Sequence, residues 1–444
     1  MNAEIRLIRT AAEQALVDAF SQVRGTLPGG EPVASLRERA FSTFEARGLP
    51  HRRVEEWKYT DLRALMRDAK PLALPPDAAA KARAKGAVSP VGDIDRRRLV
   101  FVDGSFAPEL SDLAGLEAGL SVRPMAEALA QGDPLIMAHL GKVVTTDDVA
   151  VALNTAFMGD GAFIRIAAGS VLEHPIHLEF VSAGEKPSSM FARSLVVAER
   201  GARAMLVESY AGPAAQDYQV NAALELVVAD EAHVDHVKLI GEGMGALHIS
   251  SLMVAVGARA RFNDFTFVSG GATVRNQLFV DFTGEGTTAR IHGANLLTSR
   301  QHADTTLVAT HGVGHCQSRE LFKSVLDGES RGVFQGKIIV QPKAQKTDAK
   351  MLANALLLSE EAEADSKPEL EIFADDVVCG HGATAGALDE ELLFYLKARG
   401  IPPKEAEALL IEAFVGDAVE GIEHAGLREV LMENVRAWLA ARSG

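Results

Sequence analysis

Four lines from the middle of the chain, SLVVAERGARAMLVESY (194–210), LELVVADEAHVDHVKLI (224–240), LMVAVGARARFNDFTFV (252–268) and LFVDFTGEGTTARIHGA (278–294), resemble one another. Each reads as a Val/Leu strand, a turn, and a second strand in which apolar and polar residues alternate. Turns placed at Gly169, Gly201, Glu231, Gly257, Gly286 and Gly312 are spaced 32, 30, 26, 29 and 26 residues apart. A period of roughly 25–30 residues falls in the range of stacked repeats. No helix of ten or more residues fits between the turns, which argues against βαβ units. A β-solenoid and a sandwich of short strands both remain, and the drifting spacing with similar turns favours the solenoid.

The flanks read differently. Ile5, Ile8, Ala12, Leu16, Phe20 and Val23 have helical spacing between Ala3 and Arg24, and a second helical pattern runs from Val33 to Arg47. Gly48 and Pro50 end it. The stretch LALPPDAAAKARAKGAVSPVGD (72–93), rich in Ala and Pro, reads as a linker or poorly ordered connection. Beyond the repeats, Asp389 caps a helix that Gly400 stops, Pro402-Pro403 opens the next, and a last helix follows from Leu427 to Ala441. This carboxy-terminal region could dock a partner or close the end of the solenoid. The domains expected are 1–95 (helical unit and linker), 96–388 (β core) and 389–444 (helical).

Composition narrows the function. Of 444 residues, 47% are hydrophobic and 24% charged, as in a packed globular protein. The formal charge, 45 − 60 = −15, disfavours nucleic acid as the main partner. Two cysteines, Cys316 and Cys379, cannot build a disulfide scaffold or a zinc site of paired Cys-x-x-Cys, and free thiols suit a reducing cytoplasm. Charges break up any signal-peptide core in MNAEIRLIRTAAEQ (1–14), and no apolar run is long enough to span a membrane.

Several motifs fail on inspection. Gly332-Val-Phe-Gln-Gly336-Lys337 is too short for a phosphate loop and lacks its Ser/Thr. Gly328-Glu-Ser330-Arg-Gly332 matches the nucleophile elbow, but a strand follows it where that chemistry needs a helix, so Ser330 reads as a solvated turn residue. His174/His177 and His233/His236 would point to opposite faces of a strand, and His311/His315 would be about 13 Å apart on one. Cys316 beside them reads as a small buried hydrophobe. Cys379-Gly380-His381-Gly382 is sharper. An imidazole and a thiol, uncrowded by flanking glycines, are both ligands for soft metals and iron–sulfur clusters. Two ligands cannot complete a four-ligand site, so a cluster there would be transient or shared with another subunit. No tightly bound cofactor is expected.

The segment 322–401 strongly resembles the SufB/SufD family of iron–sulfur cluster assembly proteins. The resemblance rests on Gln345-Lys346-Thr347-Asp348, Lys367-Pro368-Glu369-Leu370-Glu371-Ile372, and Ala374-Asp375-Asp376 through Cys379, His381 and Gly382-Ala383-Thr384. ALNTAFMGDGAFIRIAAGSVLEHPIHL (152–178) is also similar to the family, and LPHRRVEEWKYTDL (49–62) to its SufD branch. That resemblance implies a right-handed parallel β-helix between helical ends. It implies a non-catalytic scaffold that pairs with SufB and binds the ATPase SufC through its carboxy-terminal helices, for assembly of clusters from sulfur that a cysteine desulfurase system delivers. His381 would then contribute to a cluster site at the SufB interface, with Cys379 in a less defined role, and the likeness in fold to SufB leaves room for a homodimer through the SufB-facing edge when the chain is isolated. Gln345 and Asp348 read as strand caps in preference to ligands. From another class, a β-solenoid hydrolase or lyase acting on carbohydrate or ester substrates would use Ser330 or clustered acids. With Trp 2 and Tyr 4, aromatic platforms for sugars are scarce.

Overall fold

The computed structural model describes residues 9–443. Two long parallel sheets, one of nine strands and one of ten, face each other, and from Ala162 onward successive strands alternate between them. Each coil therefore gives one strand to each sheet, which makes the molecule a parallel β-solenoid and decides against the sandwich. Among the described residues, antiparallel pairing occurs only where the coil begins, between Arg97–Val102 and Ser105–Phe106 and between Leu120–Pro124 and Ala162–Ile166.

The in-register ladder explains the composition. Leu224, Leu252, Leu278 and Leu307 sit on successive coils in direct register and are buried. Neighbouring strands lie about 4.8 Å apart, so a side chain of the same size on each rung stacks without voids. A flat aromatic fits the same stacking, and the Phe180 and Tyr210 rings lie 4.7 Å apart and nearly parallel.

One corner of each coil takes a left-handed residue: Gly169, Gly201, Glu231, Arg259, Gly286, His315 and Lys346. The expectation of a turn at each period holds, but at two corners the left-handed position is Arg259 and His315 instead of Gly257 and Gly312. Gly257 is needed for another reason. A Cβ there would come within 2.7 Å of the Asp230 backbone nitrogen on the preceding coil.

Helices cover the outer faces. Ala11–Val23, held at its start by a Thr10/Glu13 capping box, packs with Glu31–Arg47 and Val149–Phe157. Their buried residues meet Ile249, Phe191 and Leu247 on the outside of the nine-stranded sheet. The part of the first helical pattern that includes Ile5 and Ile8, and the reading of residues 1–8 against a signal peptide, lie outside the described residues. Two features depart from expectation. Residues 72–93 contain a capped helix, Ala78–Lys85, whose Ala80 and Ala84 pack on Val100 and Val181, because Asp77 supplies the cap that the Ala-rich run needed. The stretch assigned to the β core also holds three short helices, Met125–Gln131, Pro134–His139 and Val149–Phe157, which join the amino-terminal helical layer.

At the other end, Pro403–Val419 and Ala425–Ser443 lie on the outer face of the ten-stranded sheet, where Ile411, Val415, Leu431 and Val435 bury against Val237, Phe265 and Leu296. They flank the solenoid and leave its last coil uncapped. Glu390–Ala398, capped by Asp389, buries no residue.

Candidate functional site

Cys379 and His381 lie on Val378–Gly386, the terminal strand of the ten-stranded sheet. One edge of that strand pairs with Asp348–Leu357, in register Cys379 to Ala349 and His381 to Met351. The other edge has no partner strand among the described residues. Ala349 and Met351 belong to the solenoid core, so Cys379 and His381, two residues apart, share the inward face. Because no further coil covers this rung, His381 is exposed while Cys379 is half-buried. Burial pushes the Cys379 thiol up, the Asp348 and Glu320 carboxylates add to this, and a hydrogen bond from the backbone of Ala349 opposes it.

The glycines around the pair have distinct reasons. A Cβ on Gly380 or Gly386 would meet nothing, so the packing of this chain does not demand glycine there. By contrast, Gly336 faces the lumen, where a Cβ would fall 2.2 Å from Met351 Sδ and 2.8 Å from the Phe334 ring. The stretch 332–337, already rejected as a phosphate loop, lies on the strand Arg331–Val340.

Opposite Cys379 and His381, Glu363–Ile372 ends the nine-stranded sheet. Pro368 suits an edge strand, since it cannot donate to a further neighbour. Lys367 Nζ reaches Glu55 at 2.6 Å and Glu369 at 3.3 Å. Ile372, Phe373 and Val378 leave an exposed apolar rim at this open end. Gln345 spans the adjacent turn. Its amide donates to Pro342 O at 3.0 Å, and its Oε1 accepts from Asp376 N at 2.9 Å. Asp348 pairs with Arg319 at 2.6 Å, so both residues act in the coil itself.

The His381 row continues inward. His236, Asp264, Ile291, Glu320, Met351 and His381 occupy one register line along the ten-stranded sheet. His236 lies 2.6 Å from Asp264 Oδ1 and 3.0 Å from Glu208 Oε2. Burial works to lower its pKa, but these two carboxylates together raise it. Glu320 is buried, and burial pushes this carboxyl up to about 7 against the weaker opposing effects of the Ser318 hydroxyl and the Arg319 charge. Composition could not reveal this row, because the register that aligns it comes from coil lengths of unequal size.

The other candidates stay apart. Ser330 is buried, not solvated, and its Oγ donates to Leu297 O at 3.4 Å, with no histidine in its hydrogen-bond set. His311 is buried against the Phe282 ring and held near pH 4 by burial, whereas His315 is exposed on a left-handed corner. Cys316 is buried, its thiol donating to Gly284 O at 3.4 Å, with burial raising its pKa. His177 binds Ser209 Oγ at 2.7 Å, and His174 binds Glu117 at 2.8 Å.

The segment 49–62 fastens the amino-terminal layer to the nine-stranded sheet. Trp57 Nε1 donates to Asp148 at 2.8 Å, and the Arg275 guanidinium sits 4.6 Å from the Trp57 ring. Arg275 pairs with Asp304, both fully buried, and Thr60 donates to the same carboxylate at 2.5 Å.

Two family models match the chain: the SufBD core domain of the SUF system for FeS cluster assembly over residues 180–414, and the SufBD protein N-terminal region over residues 10–178. The chain belongs to the SufBD family. An iron–sulfur cluster assembly SufBD family protein of Synechocystis is 32% identical over 91% of this chain and 90% of its own length. The iron-sulfur cluster assembly protein SufD of Escherichia coli is 31% identical over 87% of this chain and 89% of its own. Membership in the SufBD family supports a role in iron–sulfur cluster assembly and makes the chain SufD-like. No helix among the described residues is long and apolar enough to cross a membrane.

Proposed function

We propose that this SufBD family chain is the SufD-type, non-catalytic scaffold subunit of a cytoplasmic complex with SufB and the ATPase SufC. Its two sheet edges would pair with SufB, and His381, with Cys379 beside it, would give ligands to a nascent cluster shared across that junction. The observation that carries this is the position of both residues on the inward face of an unpaired terminal strand. A half-site open to solvent on one side is what a shared site requires, since two ligands leave a cluster incomplete.

Three further features support the reading. Unpaired edges with an apolar rim at Ile372, Phe373 and Val378 are costly to leave in water and ready to extend a sheet. Open space at Gly380 and Gly386 allows close approach by another backbone. Leu392, Phe394 and Tyr395 are exposed on Glu390–Ala398, an apolar surface suited to SufC. Between that helix and the His381 strand lies a groove of about 820 Å³ lined by Thr384, Gly386, Leu392 and Phe414. Movement of SufC on the helices would reach the cluster strand through it. A second copy of this chain could occupy the same edges when SufB is absent.

The test is co-purification of the tagged chain with SufB and SufC under reducing conditions with nucleotide. Recovery of all three is expected, and failure to recover either partner contradicts the assignment.

A further inference from the structure

Beyond the proposed cluster site, a second group of potential ligands lies on the flank of the solenoid, where the turn between the last two helices crosses the ten-stranded sheet. His233 and Asp235 lie two apart on His233–Gly241 and share its outer face. Glu423, in the turn between Pro403–Val419 and Ala425–Ser443, comes down on them. One potential ligand atom from each of the three lies within 4.8 Å of the others. His233 Nε2 is already 3.2 Å from Asp235 Oδ1. The group opens into a groove of about 290 Å³, which gives an ion and its remaining water ligands a way in.

We infer that His233, Asp235 and Glu423 form a binding site for a first-row divalent cation. One imidazole and two carboxylates make a borderline-to-hard donor set of the type that Zn²⁺, Fe²⁺ and Mn²⁺ accept, with water filling the open positions. The place already attracts positive charge, because Arg261 donates to Glu423 Oε1. Asn263 donates to Asp235 Oδ1 at 2.6 Å, orienting that carboxylate as an outer partner orients a metal ligand. Each carboxylate keeps a second oxygen for the cation, and the Arg261 guanidinium is its competitor. An ion held here would tie the carboxy-terminal helix pair to the solenoid wall, joining residues 188 positions apart (423 − 235).

Titration of the full chain with Co²⁺, followed by visible absorption and competed with Zn²⁺, tests the site. One Co²⁺ per chain is expected, with d–d bands and no thiolate charge-transfer band, and unchanged when Cys379→Ser and His381→Ala are introduced. His233→Ala and Glu423→Gln should each weaken binding by more than about tenfold. Arg261→Ala, which removes the competing cation, should tighten it, a gain that misfolding cannot mimic. Absence of saturable binding overturns the inference. So does binding that survives both ligand substitutions, or an Arg261→Ala chain that binds more weakly than the wild type.

Discussion

Glu320 and His381 stand on one inward row of the ten-stranded sheet, with the Met351 rung between them. The row is a consequence of stacking alone, yet it places a fully buried carboxyl two coils beneath the imidazole of the proposed cluster site.

Glu320 makes the stability of the fold depend on pH. Burial raises its pKa from 4.5 to about 7, so between those values the folded chain holds a proton that the unfolded chain has released. Stability from this group therefore falls as pH rises from about 4.5 to 7 and stays low above it. Glu320→Gln should be more stable than the wild type at pH 8, on the order of 1–3 kcal/mol, and equal to it near pH 4. Urea denaturation across that range reads the difference, and parallel profiles for the two chains would count against a buried, neutral Glu320.

Asp304 neutralises Arg275 where neither reaches solvent. Asp304→Asn leaves a buried guanidinium without its counter-charge, at a cost of about 3–5 kcal/mol. The Trp57 ring, stacked under that guanidinium, should report the loosened 49–62 segment by fluorescence. Restoration of stability in the double variant Arg275→Met with Asp304→Asn would separate the lost pairing from a general packing defect.

Coil-to-coil contact can be tested at two glycines. A Cβ on Gly284 would lie 1.9 Å from Ala258 N on the preceding coil, so Gly284→Ala must push backbone apart. A loss of roughly 1–3 kcal/mol is expected on unfolding. Gly380→Ala meets open space and should change the stability of the isolated chain by no more than about 0.5 kcal/mol. Equal effects at the two positions would contradict this account of the stacking.

The exposed apolar residues of Glu390–Ala398 carry the proposed SufC contact. Phe394→Asp should leave the melting temperature of the chain within about 1 °C of the wild type, because the helix buries no residue. Co-purification with SufC should nevertheless be lost. Retained binding would move the contact elsewhere.

Much of this architecture was legible in the sequence because the repeat writes itself into it. Leu224, Leu252 and Leu278 recur where each coil needs an inward leucine, and a turn signal follows each strand. Arg259 and His315 show the limit: a corner can take a left-handed non-glycine residue once the coils on either side fix its backbone. The helices of 125–157 escaped notice because they are short and, as in VAVALNTAF (149–157), apolar on every side, so periodicity does not separate them from buried strands and only packing on the helical layer decides. Cys379 and His381 stood out through their glycines and family motif. Glu423 could not be linked to His233 and Asp235, since nothing local joins a helix turn to a strand so far upstream.

The central claim is that His381 serves a cluster shared with SufB. Anaerobic reconstitution of the three-protein complex with iron and a sulfide source, followed by visible absorption, tests it most directly. The wild-type complex should develop the charge-transfer bands of an iron–sulfur cluster, and an intact complex containing His381→Ala should lose most of that absorbance. An assembled His381→Ala complex that matures clusters at the wild-type rate and yield would contradict the account.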